Sequence, residues 1–404
     1  MTDVLTVWLH DTVAGSLERV RRGGFRFVPG PGGPAISVGA PGDEPWSPAR
    51  SLAWFDGLLP EGEMRDRIAA RFGIDERDVF GLLGAIGWEC AGAIAILPPD
   101  RSPDAGSYAA LSDDDVGRRL DALPGRPFDE DRAVRASLGG VRSKLVLLER
   151  DGAWFEPIDG APSTHILKPE PEPWPGMAVA EAWSLRAAGL VTSVADARVR
   201  TDLGQRPVLV VRRFDRLPGV PVRRIHQEDL CQLLALPPSA KYAEPPPKAW
   251  KPSLLWLASL LLARATDPTA EVLRLLDQVT VNVALGNADA HAKNLAVVHA
   301  GGGFVTLAPM YDVVPTIAFV PRQTHAALPV GGRYRLDEIE RRHVTGEARS
   351  WGIPERVART RVRDGLSRLA DGLTEADRSY PGLSGRVREV VSARLTRFAG
   401  SPED

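Results

Sequence analysis

Asp289 and Asn294 stand five positions apart in the run Gly286-Asn-Ala-Asp289-Ala-His291-Ala-Lys293-Asn294. A second carboxylate, Asp312, follows in Ala308-Pro-Met-Tyr311-Asp312. Asp-x4-Asn is the spacing of a phosphoryl-transfer loop, in which the Asp takes the proton of an attacking hydroxyl and the Asn oxygen binds Mg²⁺. Asp312 would hold the metal that bridges the phosphates, since Mg²⁺ is a hard ion that wants oxygen ligands. An apolar helix ending at Leu285 would present the run as a loop, where catalytic groups are commonly displayed. Asp, Asn and Gly also make ordinary turns. The joint pattern, with a carboxylate downstream and phosphate-binding candidates upstream, sets this run apart. His291 has no Cys or His cluster at ligand spacing, so a zinc site gains little support.

The upstream candidates are weaker taken singly. Ser137-Leu-Gly139-Gly140-Val141-Arg-Ser-Lys144 precedes a strand-like run at 145–148. Adjacent glycines let backbone amides cradle a phosphate, although a hairpin turn accounts for the same residues. The run is not a Walker pattern. Lys168 ends the strand-like run 165–168, and Glu181 follows on a helix. That order matches the kinase device of a strand Lys on the phosphates, paired by a helix Glu; the plain alternative is a solvated Glu181. Only six of the 50 basic residues are lysines, so a position that keeps Lys mildly favours a need for an ammonium. Val208-Leu-Val-Val-Arg212-Arg213-Phe214-Asp215-Arg216 is an apolar strand running into charge. It reads as a hinge whose backbone meets a nucleotide base, or as a strand end with a surface Asp–Arg pair.

The elements that must carry these residues are legible in outline. The chain has 404 residues, 44% hydrophobic and 25% charged, with a formal net charge of −2. Such a length predicts two or three domains and a full core without disulfides or metals. The neutral balance argues against a dedicated nucleic-acid binder. Two isolated cysteines, Cys90 and Cys231, fit a reducing cytoplasm, and the N-terminus lacks the basic start of a signal peptide. The longest apolar run, 254–263, is too short to span a bilayer. A soluble cytoplasmic protein is expected.

Strands are predicted at 4–9, 25–28, 94–97, 145–148, 154–158, 165–168 and 208–212. Helical periodicity runs through 54–72, interrupted at 59–62, and recurs at 113–123, 178–189, 254–263, 271–285, 356–372 and 383–398. The expected division is a small mixed domain at 1–100, a linker at 101–134, a β-rich part at 135–226 and an α-helical part at 227–404. This is an α+β arrangement. The closing helices are Arg-rich on one face, which reads as a solvated face rather than a binding surface.

Taken in order, "FDGLLPEGEMRDRIA", "GWECAGAIAILP", "SLGGVRSK", "STHILKP", "RRFDR", "HQEDLCQLL", "KY", "LGNADAHAKN" and "APMYDV" resemble the HipA family of serine/threonine kinases, toxins of bacterial HipBA-type modules. The resemblance runs over residues 4–314. It implies a protein-kinase-like two-lobed fold, with a β-rich N-terminal region and an all-α C-terminal lobe. It implies ATP and Mg²⁺ as cofactors, with Asp289 as catalytic base and Asn294 and Asp312 as metal ligands. Lys168 would contact the phosphates, with Glu181 as its partner, and the loop from Ser137 through Gly139, Gly140 and Val141 to Lys144 would cover them. Arg212, Arg213 and Phe214 would form the hinge, and His291, Lys293 and Tyr311 would line the nucleotide site. Ser137 matches the serine that family members autophosphorylate.

The implied partners are a HipB-like helix-turn-helix antitoxin, DNA only through that antitoxin, and a protein substrate of the translation machinery, with aminoacyl-tRNA synthetases the known class. Arg212 departs from the acidic residue at the family's hinge, as do the residues after Ser137. Two rivals stay open. Small-molecule kinases share the Asp-x4-Asn device, and a catalytically weak chain could act only within a repressor complex.

Overall fold

The computed structural model describes residues 3–20, 24–103, 106–123, 137, 139–243 and 251–402. Two compact units emerge: Met1–Pro169 with Arg200–Ser239, and Glu170–Val199 with Ala240–Asp404.

In the first unit, β1 (Val4–Leu9), β2 (Thr12–Arg19), β3 (Phe25–Pro29) and β4 (Ile94–Leu97) form an antiparallel sheet in the order β3-β2-β1-β4. Leu5, Val7 and Leu9 are buried, as the period of two along β1 requires. Helices α1 (Pro48–Asp56), α2 (Glu63–Phe72) and α3 (Val79–Ile86) follow β3. Ser47 caps α1 by accepting from the Arg50 N–H, and Asp78 caps α3 through Gly81. The interruption expected at 59–62 is the turn between α1 and α2.

A second antiparallel sheet contains β5 (Ser107–Leu111), β6 (Leu145–Arg150), β7 (Ala153–Ile158), β8 (His165–Pro169) and β9 (Val208–Arg212), ordered β5-β7-β6-β8-β9. Here the structure differs from the expected linker at 101–134. β5 pairs with β7 from Ser107 opposite Ile158 to Leu111 opposite Trp154. Helix α4 (Asp113–Asp121), started by a Ser112–Asp115 capping box, buries Val116 and Leu120. The acidic surface of this segment hides a two-residue apolar stripe that is enough to dock it. The rest of that expectation, at 104–105 and 124–134, lies outside the described residues. One hydrophobic core runs through the unit from Leu5 and Phe27 to Leu147, Leu167 and Val210.

Cys90 and Cys231 are thiols outside any disulfide, with no exposed surface. Burial pushes the Cys90 thiol up to about 12, with Glu89 pushing the same way. A thiol held protonated and out of water is a poor nucleophile. Neither cysteine should react with an aromatic disulfide reagent at pH 8 until denaturant is added. Stoichiometric labelling of the native protein within minutes would contradict this.

The second unit is mostly helical: α5 (Met177–Ala188), α6 (Leu254–Arg264), α7 (Pro268–Leu285), α8 (Arg341–Ser350), α9 (Glu355–Ser379) and α10 (Gly385–Ala399), with a hairpin of β10 (Ala296–Gly301) and β11 (Phe304–Leu307). Helix α9 packs on both α5 and α7. The expectation that grouped residues 170–199 with the β-rich part is not what the packing shows. Ala178, Ala180, Ala182, Leu185, Ala187 and Ala188 are all buried, and so wide an apolar face must be covered by neighbouring helices, while Arg186 stays exposed at its rim. Gly372 permits the approach of α9, because a Cβ there would stand 2.3 Å from the Ala187 carbonyl oxygen. Among the described residues no helix is long and apolar enough to cross a membrane.

Candidate active site

Helix α7 delivers the loop. Asp267 caps its start by accepting from the Ala270 N–H, and Pro268 occupies the first turn. Its end is Gly286 (φ 74°), a left-handed residue whose N–H reaches the carbonyls of Asn282 and Val283. A Cβ at Gly286 would also fall 2.3 Å from Ile317 Cδ1, so conformation and packing both ask for glycine.

Beyond Gly286 the loop is tied by its own polar groups. Asn287 Oδ1 accepts from the Asp289 N–H at 3.1 Å, and Asn287 Nδ2 donates to Asn282 Oδ1 at 2.8 Å. Thr316 Oγ1 accepts from the Ala288 N–H at 2.8 Å. The Asp289 carbonyl oxygen accepts twice, from the His291 N–H at 2.7 Å and from Asn294 Nδ2 at 2.9 Å. The second bond locks Asn294 to Asp289 and commits the Asn nitrogen, leaving Oδ1 as the group's acceptor oxygen. Tyr242 Oη donates to Asp289 Oδ1 at 2.7 Å, and its ring meets His291 edge-on at 5.2 Å. The Lys241 carbonyl accepts from the Ala292 N–H.

Asp312 adopts a left-handed backbone, φ 56°. For a residue with a Cβ this is strain, which gathers at functional sites. The chain before it is fixed on both sides: the Met310 N–H donates to the Ser193 carbonyl, and the Met310 carbonyl accepts from Ala195. Tyr311 Oη donates to the Lys293 carbonyl at 2.7 Å. Burial pushes the His291 imidazole below its ordinary value, Lys241 adds to that push, and Asp289 and Asp312 oppose it. The second unit thus gathers Asp289, His291, Lys293, Asn294, Tyr311 and Asp312. Tyr242 and Thr316 join them from distant sequence; the "KY" pair was the one advance sign of Tyr242.

The remaining candidates sit as follows. Ser137 has no exposed surface; its N–H donates to the Glu89 carbonyl at 2.8 Å and its Oγ to the Leu58 carbonyl at 2.8 Å. The Gly140 carbonyl accepts from the Glu61 N–H, Lys144 Nζ donates to the Gly139 carbonyl, and Val141 is exposed. Gly140 forms a parallel bridge to Pro60, in the turn between α1 and α2. Lys168 lies in β8 opposite Leu209. Glu181 is fully buried on α5, which removes the solvated reading.

The expected hinge divides. Arg212 is exposed at the end of β9 and Phe214 is half-buried. Arg213 lies in the core of the first unit, where Nη1 meets Glu89 at 2.8 Å and Nη2 meets Asp215 at 2.7 Å. Arg216 reaches the same two carboxylates at 2.6 and 3.0 Å, and the Gly92 N–H donates to Asp215. The Asp–Arg pair read as a surface pair is a buried network. The Arg213 guanidinium is committed there and its N–H donates to the Thr164 carbonyl, so of its polar groups the carbonyl alone remains for a hinge.

The HipA N-terminal domain model matches residues 5–97, and the HipA-like C-terminal domain model matches residues 136–373. The Sinorhizobium fredii protein named "Putative kinase Y4mE" is 34% identical, over 98% of this chain and 96% of its own length. The serine/threonine-protein kinase toxin HipA of Shewanella oneidensis is 26% identical, over 85% of this chain and 82% of its own. The solved Shewanella oneidensis complex of HipA, HipB and operator DNA includes a chain with TM-score 0.83 at 23% identity, covering 98% of this chain and 96% of that one. The fold is therefore mixed α/β and kinase-like, strand-rich toward the N-terminus and helical toward the C-terminus. Within that class, the chain belongs to the HipA family of kinase toxins.

Proposed function

We propose that this protein transfers the γ-phosphoryl group of ATP to a serine or threonine hydroxyl of a cytoplasmic protein, as the toxin of a module with a HipB-like helix-turn-helix antitoxin. In this reading its target belongs to the translation machinery, and DNA contact comes through the antitoxin. The observation that carries this reading is the bond locking Asn294 Nδ2 to the Asp289 carbonyl. It holds a proton acceptor and a hard oxygen in one rigid turn, as phosphoryl transfer requires.

With Oδ1 engaged by Tyr242, Asp289 turns Oδ2 to the acceptor. It takes the hydroxyl proton as that oxygen bonds to the γ-phosphorus and the bond to the β–γ bridging oxygen breaks, releasing ADP. Asn294 Oδ1 and the Asp312 carboxylate are a donor set of the kind Mg²⁺ prefers, and they would hold it. Held there, it would supply positive charge against the phosphates. In the first unit Lys168 is the phosphate-binding candidate and the loop 137–144 the candidate cover; in the second, buried Glu181 is a further candidate for the nucleotide site. Arg212 to Phe214 contribute the hinge, and His291, Lys293 and Tyr311 line the nucleotide.

Ser137 is the self-modification site in this reading. A phosphate there adds roughly −1.5 to −2 charge beside the phosphates of ATP, and it forfeits the bond to Leu58. Incubation with Mg-ATP followed by phosphosite mapping tests the proposal. Phosphate on Ser137 of the wild type, absent from Asp289→Asn, is the expected result. ATP bound without any phosphorylated residue would overturn the self-modifying kinase.

A further inference from the structure

The arginines of α10 do not share one fate. Arg386 and Arg397 are exposed, as a solvated face requires, but Arg394 keeps only 8% of its surface. Its Nε donates to the Val283 carbonyl at 3.0 Å and its Nη2 to the Ile339 carbonyl at 3.5 Å, with the guanidinium 5.6 Å from the Phe398 ring. Among the described residues no carboxylate reaches salt-bridge distance of it. Burial lowers its pKa to about 10, Arg397 acts the same way and Asp337 opposes, so it stays charged at neutral pH. A buried cation without a counter-ion lowers stability. Its retention calls for another reason.

The position supplies one. Val283 is in the last turn of α7, and its carbonyl is one of the two that Gly286 closes on before the chain leaves toward Asp289. Helix C-termini leave carbonyls unsatisfied and carry the negative end of the dipole, so a cation belongs there. Helix α10 also packs on the short helix Thr316–Phe319, whose Thr316 holds the Ala288 N–H. It therefore braces the loop at its root and at its second residue. This helix lies beyond residue 373, where the match to the C-terminal family model ends.

We propose that Arg394 is a positioning residue for the catalytic loop: from α10 it caps the last turn of α7 and fixes where Gly286 releases the chain toward Asp289. Its consequence for turnover rests on the reading of Asp289 as the base; its structural part does not.

Arg394→Met keeps the stem and removes the guanidinium, whereas Arg394→Lys restores a cation able to reach one carbonyl. Hydrogen exchange of the full-length protein should show amides 286–294 of the Met variant opening about tenfold faster or more, with α9 unchanged and the melting temperature not lowered. In phosphotransfer assays kcat should fall by about tenfold or more with the KM for ATP preserved, and Lys should recover part of it. Unchanged exchange at 286–294 overturns the proposal. So does faster exchange throughout the second unit with a lower melting temperature, which would make Arg394 a packing residue. A wild type that binds ATP but transfers no phosphate would defeat the kinase reading and leave the exchange result to decide the role of Arg394.

Discussion

Asp289→Asn is expected to yield a folded protein whose phosphoryl transfer is lower by a factor of about 10²–10⁴, the usual worth of a positioned proton acceptor. The substitution is nearly isosteric. Asn retains an Oδ1 that accepts from Tyr242, and the carbonyl that receives Asn294 Nδ2 is backbone and unaltered. What disappears is the carboxylate able to take the hydroxyl proton. Thermal unfolding should match the wild type and ATP should still bind, so the loss falls on kcat. Turnover within a few-fold of the wild type would remove Asp289 from the role of base.

Glu89→Gln should have the largest effect on stability, about 3–5 kcal/mol, read from denaturant unfolding. Glu89 is fully buried and its carboxylate receives Arg213 at 2.8 Å, Arg216 at 2.6 Å and the Ser163 hydroxyl. Neutralising it leaves two buried guanidiniums with one carboxylate, Asp215. The pH dependence has a definite sign. Burial alone would raise the Glu89 carboxyl, but Arg213, Arg216 and Arg224 outweigh it and hold the group below its usual range. Asp215 is likewise held down against burial by Arg213 and Arg216. Carboxylates depressed in the folded state stabilise it fully above their unfolded pKa, near 4, and lose that contribution as pH falls further. The wild type should therefore weaken below about pH 4, and Glu89→Gln should weaken less steeply there. A variant within 1 kcal/mol of the wild type, with an unchanged acid limb, would show the network to be expendable.

How much of this was legible depended on whether a residue's partners lie near it in the chain. Strands 4–9, 94–97 and 208–212 were readable because each is an apolar run with turn or charged residues at its end. The loop 286–294 was readable because its partners are its own neighbours, and local hydrogen bonds leave a local signature. Helix α3 escaped because VFGLLGAI is apolar without period, and β5 escaped because its segment is acidic on average while one stripe is not. Arg213 is the sharpest case. Arg-Phe-Asp-Arg reads the same at a surface as in a core, and what decides is Glu89, 124 positions away. Tyr242 and Thr316 reach the loop from outside it for the same reason, and Arg394 closes a helix that ended more than a hundred residues earlier.

The shared core of the first unit has a consequence for the order in which the chain is made. Leu5, Phe27, Leu147 and Val210 belong to one cluster, and β9 arrives only after the chain has passed through the α5 segment of the other unit. A ribosome that has released residues up to Pro169 has produced β8 without β9, its neighbour, and so with an unpaired edge. The first unit cannot close until translation has passed Val208–Arg212, and by then a helix of the second unit has emerged and must wait for α7 and α9. A transcript truncated before residue 208 should therefore yield protein for proteolysis rather than a folded first unit.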